Sequence, residues 1–343
     1  MPIDPSFLPP AASPDDLSLP GDQVSDAPVG QAPPPAATPN IGHTLLFGVL
    51  VALAGFVIGL IFQLSIMHVA PHMRESAEQM ETDPLLVIPV EALIYGIAGA
   101  ASFLIFPLFW NRPFSQGVHW RSFILRRWVW LLIGIGVATS VAVQLLSNFL
   151  PIPKELPIDK FFTHPLGVWL IAIFGVTVAP AFEELAFRGF LLPSLASAWD
   201  WVMQRMRTPR ALTGGPAAHE PYPGGAWQPA AIGAGDLQRM GAHPYSNAEG
   251  DSGPSDPRWS ISALVFSTFL TSIGFAMLHG AQLAHSFAPL AVLFAVSVVL
   301  CITRLRFHSL AASTLVHSMY NATIFVMLFI GTDGFRHLDK LGK

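Results

Sequence analysis

Seven apolar stretches, each close to the length that crosses a bilayer, constrain this chain more than any other feature of its sequence. A helix needs about 20 apolar residues to span a hydrocarbon core of about 30 Å. The stretches lie at residues 44–67, 85–110, 128–150, 165–182 with a continuation to about 201, 260–278, 286–303 and 307–332. We therefore predict an all-α polytopic membrane bundle of about seven transmembrane helices. Because the last three stretches are short or closely spaced, six or eight helices remain open.

The amino-acid composition agrees with a membrane environment. The chain is 52% hydrophobic and only 12% charged, whereas soluble domains carry about 25% charged residues. This excludes an ordinary soluble enzyme and a disordered protein. The net charge of −4 provides no basic surface for nucleic acid. The single cysteine, Cys301, excludes a disulfide framework and a multi-cysteine metal site. The predicted partner of the helices is the lipid bilayer.

Two polar segments divide the chain. Residues 1–42 are rich in proline and aspartate and contain no Lys or Arg, so we predict a disordered acidic tail. Residues 202–258 are rich in proline and glycine and have no apolar periodicity, which predicts a flexible loop. The predicted organisation is N-terminal transmembrane helices over 43–164, a helical core over 165–333 interrupted by that loop, and a short tail over 334–343.

Arginines in the loops indicate the orientation. Short cytoplasmic loops of membrane proteins carry an excess of Lys and Arg. Three arginine groups follow the second, fourth and sixth stretches, and they share one side if the N-terminus is cytoplasmic: Arg112, Arg121, Arg126 and Arg127; Arg205, Arg207 and Arg210; Arg304 and Arg306. The loop after the first stretch is acidic. We therefore expect a multi-pass protein of the cell membrane with a cytoplasmic N-terminus.

The sequence A-F-E-E-L-A-F-R-G-F places charged residues inside the fourth apolar stretch. Ionisable groups at membrane depth are costly and by default mark a functional site. Glu184 and Arg188 have the i,i+4 spacing that allows an ion pair on one helix face. Glu183 then points about 100° away and is available for general acid or base chemistry. An interfacial ion pair at a helix end is the alternative interpretation.

Three further apolar stretches contain isolated polar residues. The fifth ends in F-A-M-L-H, with Phe275 and His279, and the seventh contains H-S-M-Y-N, with His317 and Asn321 at i,i+4. The last pair can hold a water or donate hydrogen bonds to a developing oxyanion, or can form an interhelical contact. Glu91 is the one charged residue of the second stretch. It could line a substrate cavity, or it could be protonated and structural.

The ordered motifs E-E-x-x-x-R, F-x-x-x-H and H-x-x-x-N resemble those of one known family. This is the CPBP family, the CAAX protease and bacteriocin-processing (Abi) family of intramembrane glutamic endopeptidases. The similarity runs over about residues 166–330. Each motif alone is weak, but the three in this order and in apolar context are specific. The 202–258 insert and the acidic tail depart from the family pattern without touching a motif.

The resemblance implies a role for each residue. Glu183 would be the general base that activates water, assisted by His279, and His317 with Asn321 would stabilise the oxyanion. Glu184 and Arg188 would be supporting residues, and Phe275 would pack beside the site. We expect no metal cofactor. The alternative is a zinc ion held by Glu183, His279 and His317, which form a possible His₂Glu set.

The predicted function is therefore an intramembrane endopeptidase acting on a membrane-associated or prenylated CAAX-like peptide or protein. The alternative is a non-catalytic scaffold, immunity or transport protein that uses the same polar cluster. Catalysis requires Glu183, His279, His317 and Asn321 to converge on one water. A simple topology places Glu183 near the cytoplasmic end of one span and His279 near the outer end of the next. Either the fourth span continues well past Pro180, or part of 260–278 lies outside the bilayer.

Overall fold

The computed structural model describes residues 39–69, 83–151, 153, 156–162, 165–207 and 259–338, without the side chains of residues 66–69. The predictions for the tail up to residue 38, the acidic loop after the first helix, residues 208–258 of the insert and the end of the C-terminal tail concern residues outside these ranges. Within them, every regular element is helical.

Ten α-helices follow one another along the described chain. They are α1 (Ile41–Val69), α2 (Pro84–Trp110), α3 (Phe114–Gly117), α4 (Phe123–Ser147), α5 (Pro165–Val176), α6 (Val178–Glu184), α7 (Leu192–Arg207), α8 (Ile261–Leu278), α9 (Phe287–Phe307) and α10 (Leu310–Gly331). A π-helix (Leu185–Leu191) joins α6 to α7, and short 3₁₀-helices cover Pro157–Phe162 and Ala281–Leu283. Seven helical spans are long and apolar enough to cross a membrane, with Pro165–Met206 counted as one. This confirms the predicted all-α membrane bundle and selects seven among the six to eight spans left open.

Polar residues at the helix starts explain several boundaries. The side chain of Asp83 accepts a hydrogen bond from Leu85 N at 2.9 Å, and Pro84 occupies the first helical position of α2. Ser260 and Ser309 cap α8 and α10 in the same way. The carboxamide of Asn40 accepts from His43 N at 3.1 Å, so α1 already begins at Ile41, slightly before the predicted end of the tail at residue 42.

The fourth span is longer than its apolar stretch, because its second half is amphipathic. It runs through α5, α6, the π-helix and α7 to Arg207. The predicted start of the flexible loop at residue 202 is therefore too early. On α7 the guanidinium of Arg205 lies 4.3 Å from the centre of the Trp201 ring, one turn earlier. Asp200 of α7 accepts from the Ser260 backbone N–H at 3.0 Å, which joins the end of this span to the start of α8.

Proline sets the bend inside the fourth span. Pro180 has no N–H to donate, and its ring crowds the carbonyl four residues earlier, at Val176. The helix is distorted there at one residue: α5 ends at Val176, Thr177 has φ −117° and ψ −72°, and α6 starts at Val178. The bend lies directly before Glu183 and Glu184, in the middle of the span.

Small residues allow the central helices to approach closely. α4 packs against α10, and a Cβ atom added at Gly136 would lie 2.6 Å from Val316 O and 2.7 Å from Met319 Cβ. Close backbone approach at glycine is the usual way in which membrane helices associate. α10 carries His317 and Asn321, so this contact fixes the helix that brings both residues to the centre of the bundle.

Candidate active site

Glu183 and Glu184 end α6 and face different surroundings. The Glu184 side chain is fully buried, whereas that of Glu183 retains 12% exposure, toward a cavity. The widened turn of the π-helix follows at once and carries Arg188. Such turns inside α-helices are frequently found at functional sites. Adjacent carboxylates thereby obtain separate partners.

Arg188 is the centre of a buried network. Its guanidinium bonds to Glu184 Oε1 at 3.0 Å, as the i,i+4 spacing predicts, and both side chains are fully buried. It also donates to the Ser297 carbonyl at 3.0 Å and hydroxyl at 2.6 Å on α9. Its other flank lies 4.7 Å from the centre of the Phe275 ring, a cation–π contact. Arg188 therefore connects the π-helix to both α8 and α9.

His317 lies between the two glutamates. Its Nδ1 is 3.1 Å from Glu184 Oε1, within hydrogen-bond range, and its Nε2 is 3.8 Å from Glu183 Oε2. The ring is buried, and the Phe275 ring packs edge-on against it at 5.7 Å. Glu184 thus orients His317 as well as pairing with Arg188.

His279 approaches Glu183 from the opposite side. It is the C-terminal cap of α8, and its Nδ1 lies 3.0 Å from the Phe275 carbonyl. Because a carbonyl can only accept, Nδ1 carries the proton. The Nε2 atom faces Glu183 Oε1 at 4.0 Å. Glu183 is therefore flanked by two imidazole Nε2 atoms, neither of them in direct hydrogen-bond contact.

Asn321 lines the same cavity one turn after His317 on α10, and it has a hydrogen-bond partner on another helix. Its amide nitrogen donates to the Gly175 carbonyl at 2.6 Å, in the last turn of α5. The predicted His317–Asn321 pair therefore does not act as an isolated unit on one helix. His317 is held by Glu184 and Asn321 by the α5 backbone, a bond that uses one of the two amide hydrogens of Asn321.

The length of the fourth span bears on the depth conflict between Glu183 and His279. That span continues to Met206, so Glu183 lies near its middle. His279 follows the last residue of α8, and the cavity extends from that end of the bundle down to Glu183. This agrees with the first of the two alternatives, because the amphipathic turns after Arg188 extend the helix.

The cavity has a volume of about 380 Å³. Its wall comes from the starts of α2 and α9, the end of α4, the second half of α5, two residues of α6, the end of α8 and the second half of α10. Residues of both 3₁₀-helices complete it, Phe161 and Gln282 among them. Glu183, His279, His317 and Asn321 all line this one space, together with Glu91 and Phe275.

Three residues of the site have side chains that could bind zinc. Glu183, His279 and His317 have the chemistry of a His₂Glu set, and each histidine Nδ1 is already oriented by an acceptor, as is usual for metal-bound histidines. Within the described ranges, however, no group of three His, Cys, Asp or Glu side chains is arranged to hold a metal ion. The metal-free mechanism stays a prediction.

Sequence reasoning missed two members of the site. Ser297 accepts a hydrogen bond from Arg188, but it belongs to none of the motifs, and 109 residues separate it from Arg188. Tyr95 bonds Glu91 and stacks on Phe182, the residue before Glu183, at 4.0 Å. The i,i+4 spacing of Glu91 and Tyr95 was a readable signal, whereas the position of Ser297 depends on the packing of α9 alone.

Comparison with known proteins agrees with the motif resemblance. Residues 165–212 and 254–323 match the family model described as Type II CAAX prenyl endopeptidase Rce1-like. The matched segments contain all seven residues that the motifs predicted. No curated protein and no solved structure matches the chain.

Proposed function

Residues 165–212 and 254–323 match the Rce1-like type II CAAX prenyl endopeptidase family, and on that premise we propose that this protein is an intramembrane endopeptidase in which Glu183 activates water. The substrate is a membrane-associated or prenylated CAAX-like peptide. The protein lies in the cell membrane with its N-terminus in the cytoplasm, as the arginine-rich loops indicate.

One observation carries the proposal: a carboxylate inside a membrane cavity faces two imidazole nitrogens across gaps of 3.8 and 4.0 Å. Groups separated by more than about 3.5 Å can be bridged by a single water. A water bonded to Glu183 and His279 would lie inside the cavity and beside His317. A purely structural ion pair would instead close to direct contact, as Glu184 and Arg188 do.

The protonation of His279 determines how that water is held. Because Nδ1 donates to the Phe275 carbonyl, the neutral ring offers Nε2 as an acceptor. Glu183 also accepts. Both hydrogens of the water are therefore held, and an oxygen lone pair is directed into the cavity toward a scissile carbonyl carbon.

Proton transfer completes the reaction. As the water oxygen bonds to the carbonyl carbon, Glu183 takes one proton and the tetrahedral intermediate forms. The C–N bond then breaks, and the same carboxyl group delivers the proton to the leaving amine. General acid–base transfer of this kind contributes roughly 10²- to 10⁴-fold to a rate.

His317 and Asn321 would bind the oxyanion. Asn321 has one amide hydrogen left after its bond to Gly175. Since Nδ1 of His317 donates to Glu184, donation from Nε2 requires the doubly protonated ring. Glu184 and Arg188 would act as positioning residues, because they hold His317 without reaching the cavity themselves.

Cleavage of a peptide library by the purified protein in detergent tests this proposal. We expect Glu183→Gln to lower the cleavage rate at least about 100-fold, because the carboxamide cannot take the proton. Asp333→Asn is the matched control, since Asp333 is exposed, lies outside the cavity wall and has a left-handed φ of 52° that asparagine tolerates. Full activity of Glu183→Gln would contradict the assignment of the base.

A chelator arm addresses the metal. We expect cleavage to persist after treatment with a chelator and dialysis. Loss of activity that zinc restores would instead support the His₂Glu site. Absence of cleavage in the wild type with every peptide would favour the non-catalytic alternative.

A further inference from the structure

Glu91 is a second carboxylate in the cavity, and no step of the mechanism above uses it. It projects from α2 into the same space as Glu183. The Tyr95 hydroxyl, one turn later, donates to Glu91 Oε1 at 2.6 Å. The Tyr95 ring is fixed in turn, because it stacks on Phe182 at 4.0 Å and on Phe174 at 5.8 Å. Glu91 is therefore held in one orientation by residues that adjoin Glu183.

This carboxylate has no cationic partner among the described residues. Glu184 pairs with Arg188, whereas in the described part of the chain Glu91 bonds to the neutral hydroxyl of Tyr95. Its other oxygen has no protein partner in the described parts of the chain. A carboxylate inside a membrane protein is normally paired with a cation or marks the path of a ligand. Within the described ranges Glu91 lines the cavity and has no such cation beside it.

Apart from the imidazoles of His279 and His317, which flank Glu183, the charged side chains on the described cavity wall are acidic. Among the described residues that line it, two are carboxylates, Glu91 and Glu183, and none is Lys or Arg. Away from bulk water, such a wall attracts a cation and repels an anion more strongly than an exposed surface does. A rigid, prepositioned carboxylate also loses little freedom on binding.

We propose that Glu91, positioned by Tyr95, is a specificity subsite for a basic side chain, lysine or arginine, of the peptide substrate. The inference rests on the proposed peptidase function and adds to it the class of residue that the enzyme selects near the scissile bond. The ammonium or guanidinium group would donate to the free Glu91 oxygen while the peptide carbonyl lies beside Glu183. Tyr95 keeps the other oxygen occupied and the carboxylate in place.

Matched peptides test the subsite. A cleaved peptide is prepared with lysine, norleucine or glutamate at each position near the scissile bond, and kcat/KM is compared within each set. At one position we expect lysine to exceed norleucine by about 10- to 100-fold, the range for a charge-assisted hydrogen bond in a desolvated site. Most of this difference should lie in KM.

Variants at Glu91 assign the preference to that residue. Glu91→Gln should reduce the lysine-to-norleucine ratio to about one. Glu91→Lys should reverse the order at the same position, so that glutamate is preferred, an effect that misfolding cannot produce. Tyr95→Phe keeps the stacked ring but removes the hydrogen bond, and should lower the ratio partly. Asp333→Asn is the charge-matched control and should keep the wild-type ratio.

The outcomes separate this inference from the proposed function. An active wild type without any preference for lysine would overturn the subsite and leave the peptidase in place. A lysine preference that persists in both Glu91→Gln and Glu91→Lys would overturn the role of Glu91. A chain that cleaves no peptide would overturn both proposals, because the subsite has no purpose without cleavage.

Discussion

Arg188 is the residue on which the buried part of the site depends most. It is fully buried and contacts α6, α8 and α9 through Glu184, Phe275 and Ser297. Removal of one member of a buried ion pair leaves the other charge without compensation, which typically costs about 3–5 kcal/mol. The sequence predicted the pair but not its position as a junction between helices.

We therefore expect Arg188→Met to lower the melting temperature of the protein in detergent by several degrees and to abolish cleavage. Differential scanning fluorimetry and the peptide assay measure the two effects. Arg205→Met is the control, because Arg205 is exposed and contacts only Trp201 of its own helix among the residues described. Equal melting temperatures for both variants would contradict the central role of Arg188.

A second prediction concerns the partner charge. Glu184→Gln/Arg188→Met removes both members, so no uncompensated charge remains. We expect the double variant to recover part of the thermal stability lost in Arg188→Met but none of the cleavage activity, since His317 still lacks its orienting carboxylate. Recovery of activity would show that Glu184 does not position His317.

At the level of elements, local sequence determines where most helices begin and bend, but not how far the fourth span extends. Pro180 distorts the fourth span, and capping residues start α2, α8 and α10; all of these are readable in the sequence. The extension of the fourth span to Met206 was not, since its last turns are amphipathic and lack the continuous hydropathy of the other spans. Those turns move Glu183 to mid-span.

The α4–α10 contact gives a prediction with a close control. Gly136→Ala inserts a methyl group against backbone atoms of α10, which cannot move independently of the helix. Overpacking of this kind costs roughly 1–3 kcal/mol. Because α10 carries His317 and Asn321, we expect both a lower melting temperature and slower cleavage.

Gly134→Ala, on the same helix, has no neighbour within 4 Å of the added atom. It changes the helix propensity by a similar amount, so it isolates the interhelical clash. Indistinguishable melting curves for the two variants would show that α4 and α10 are not held by close approach at Gly136.

At the level of the whole molecule, the cavity and the arginine-rich loops occupy opposite ends. The cavity wall includes residues near the end of α4, the end of α8 and the starts of α2 and α9. Arg112, Arg121, Arg304 and Arg306 lie at the other end, between α2 and α4 and around the α9–α10 turn. If those loops are cytoplasmic, the cavity opens toward the non-cytoplasmic face.

Labelling from one side of the membrane tests this arrangement. Gln282→Cys at the cavity and Gln116→Cys at the opposite end both replace exposed glutamines. The only native cysteine, Cys301, is buried and serves as the unlabelled background. A membrane-impermeant maleimide added to intact cells should label Gln282→Cys, and should label Gln116→Cys only after permeabilisation. The reverse pattern would place the cavity on the cytoplasmic side.

The sequence by itself determined that the chain is a helical, multi-pass membrane protein, and it predicted seven residues of the candidate site, though not Ser297 or Tyr95. Few charges occur in the apolar stretches, and bilayer energetics leave almost no reason for them except function or pairing, so Glu183, Glu184 and Arg188 could be identified directly. Only the tertiary structure decided how these residues meet. The shared contact of Glu184 with Arg188 and His317, the anchoring of Asn321 on Gly175, and Ser297 all join helices far apart in the chain. Local spacing cannot encode such contacts, because they depend on the angles at which helices pack and on the bend at Pro180.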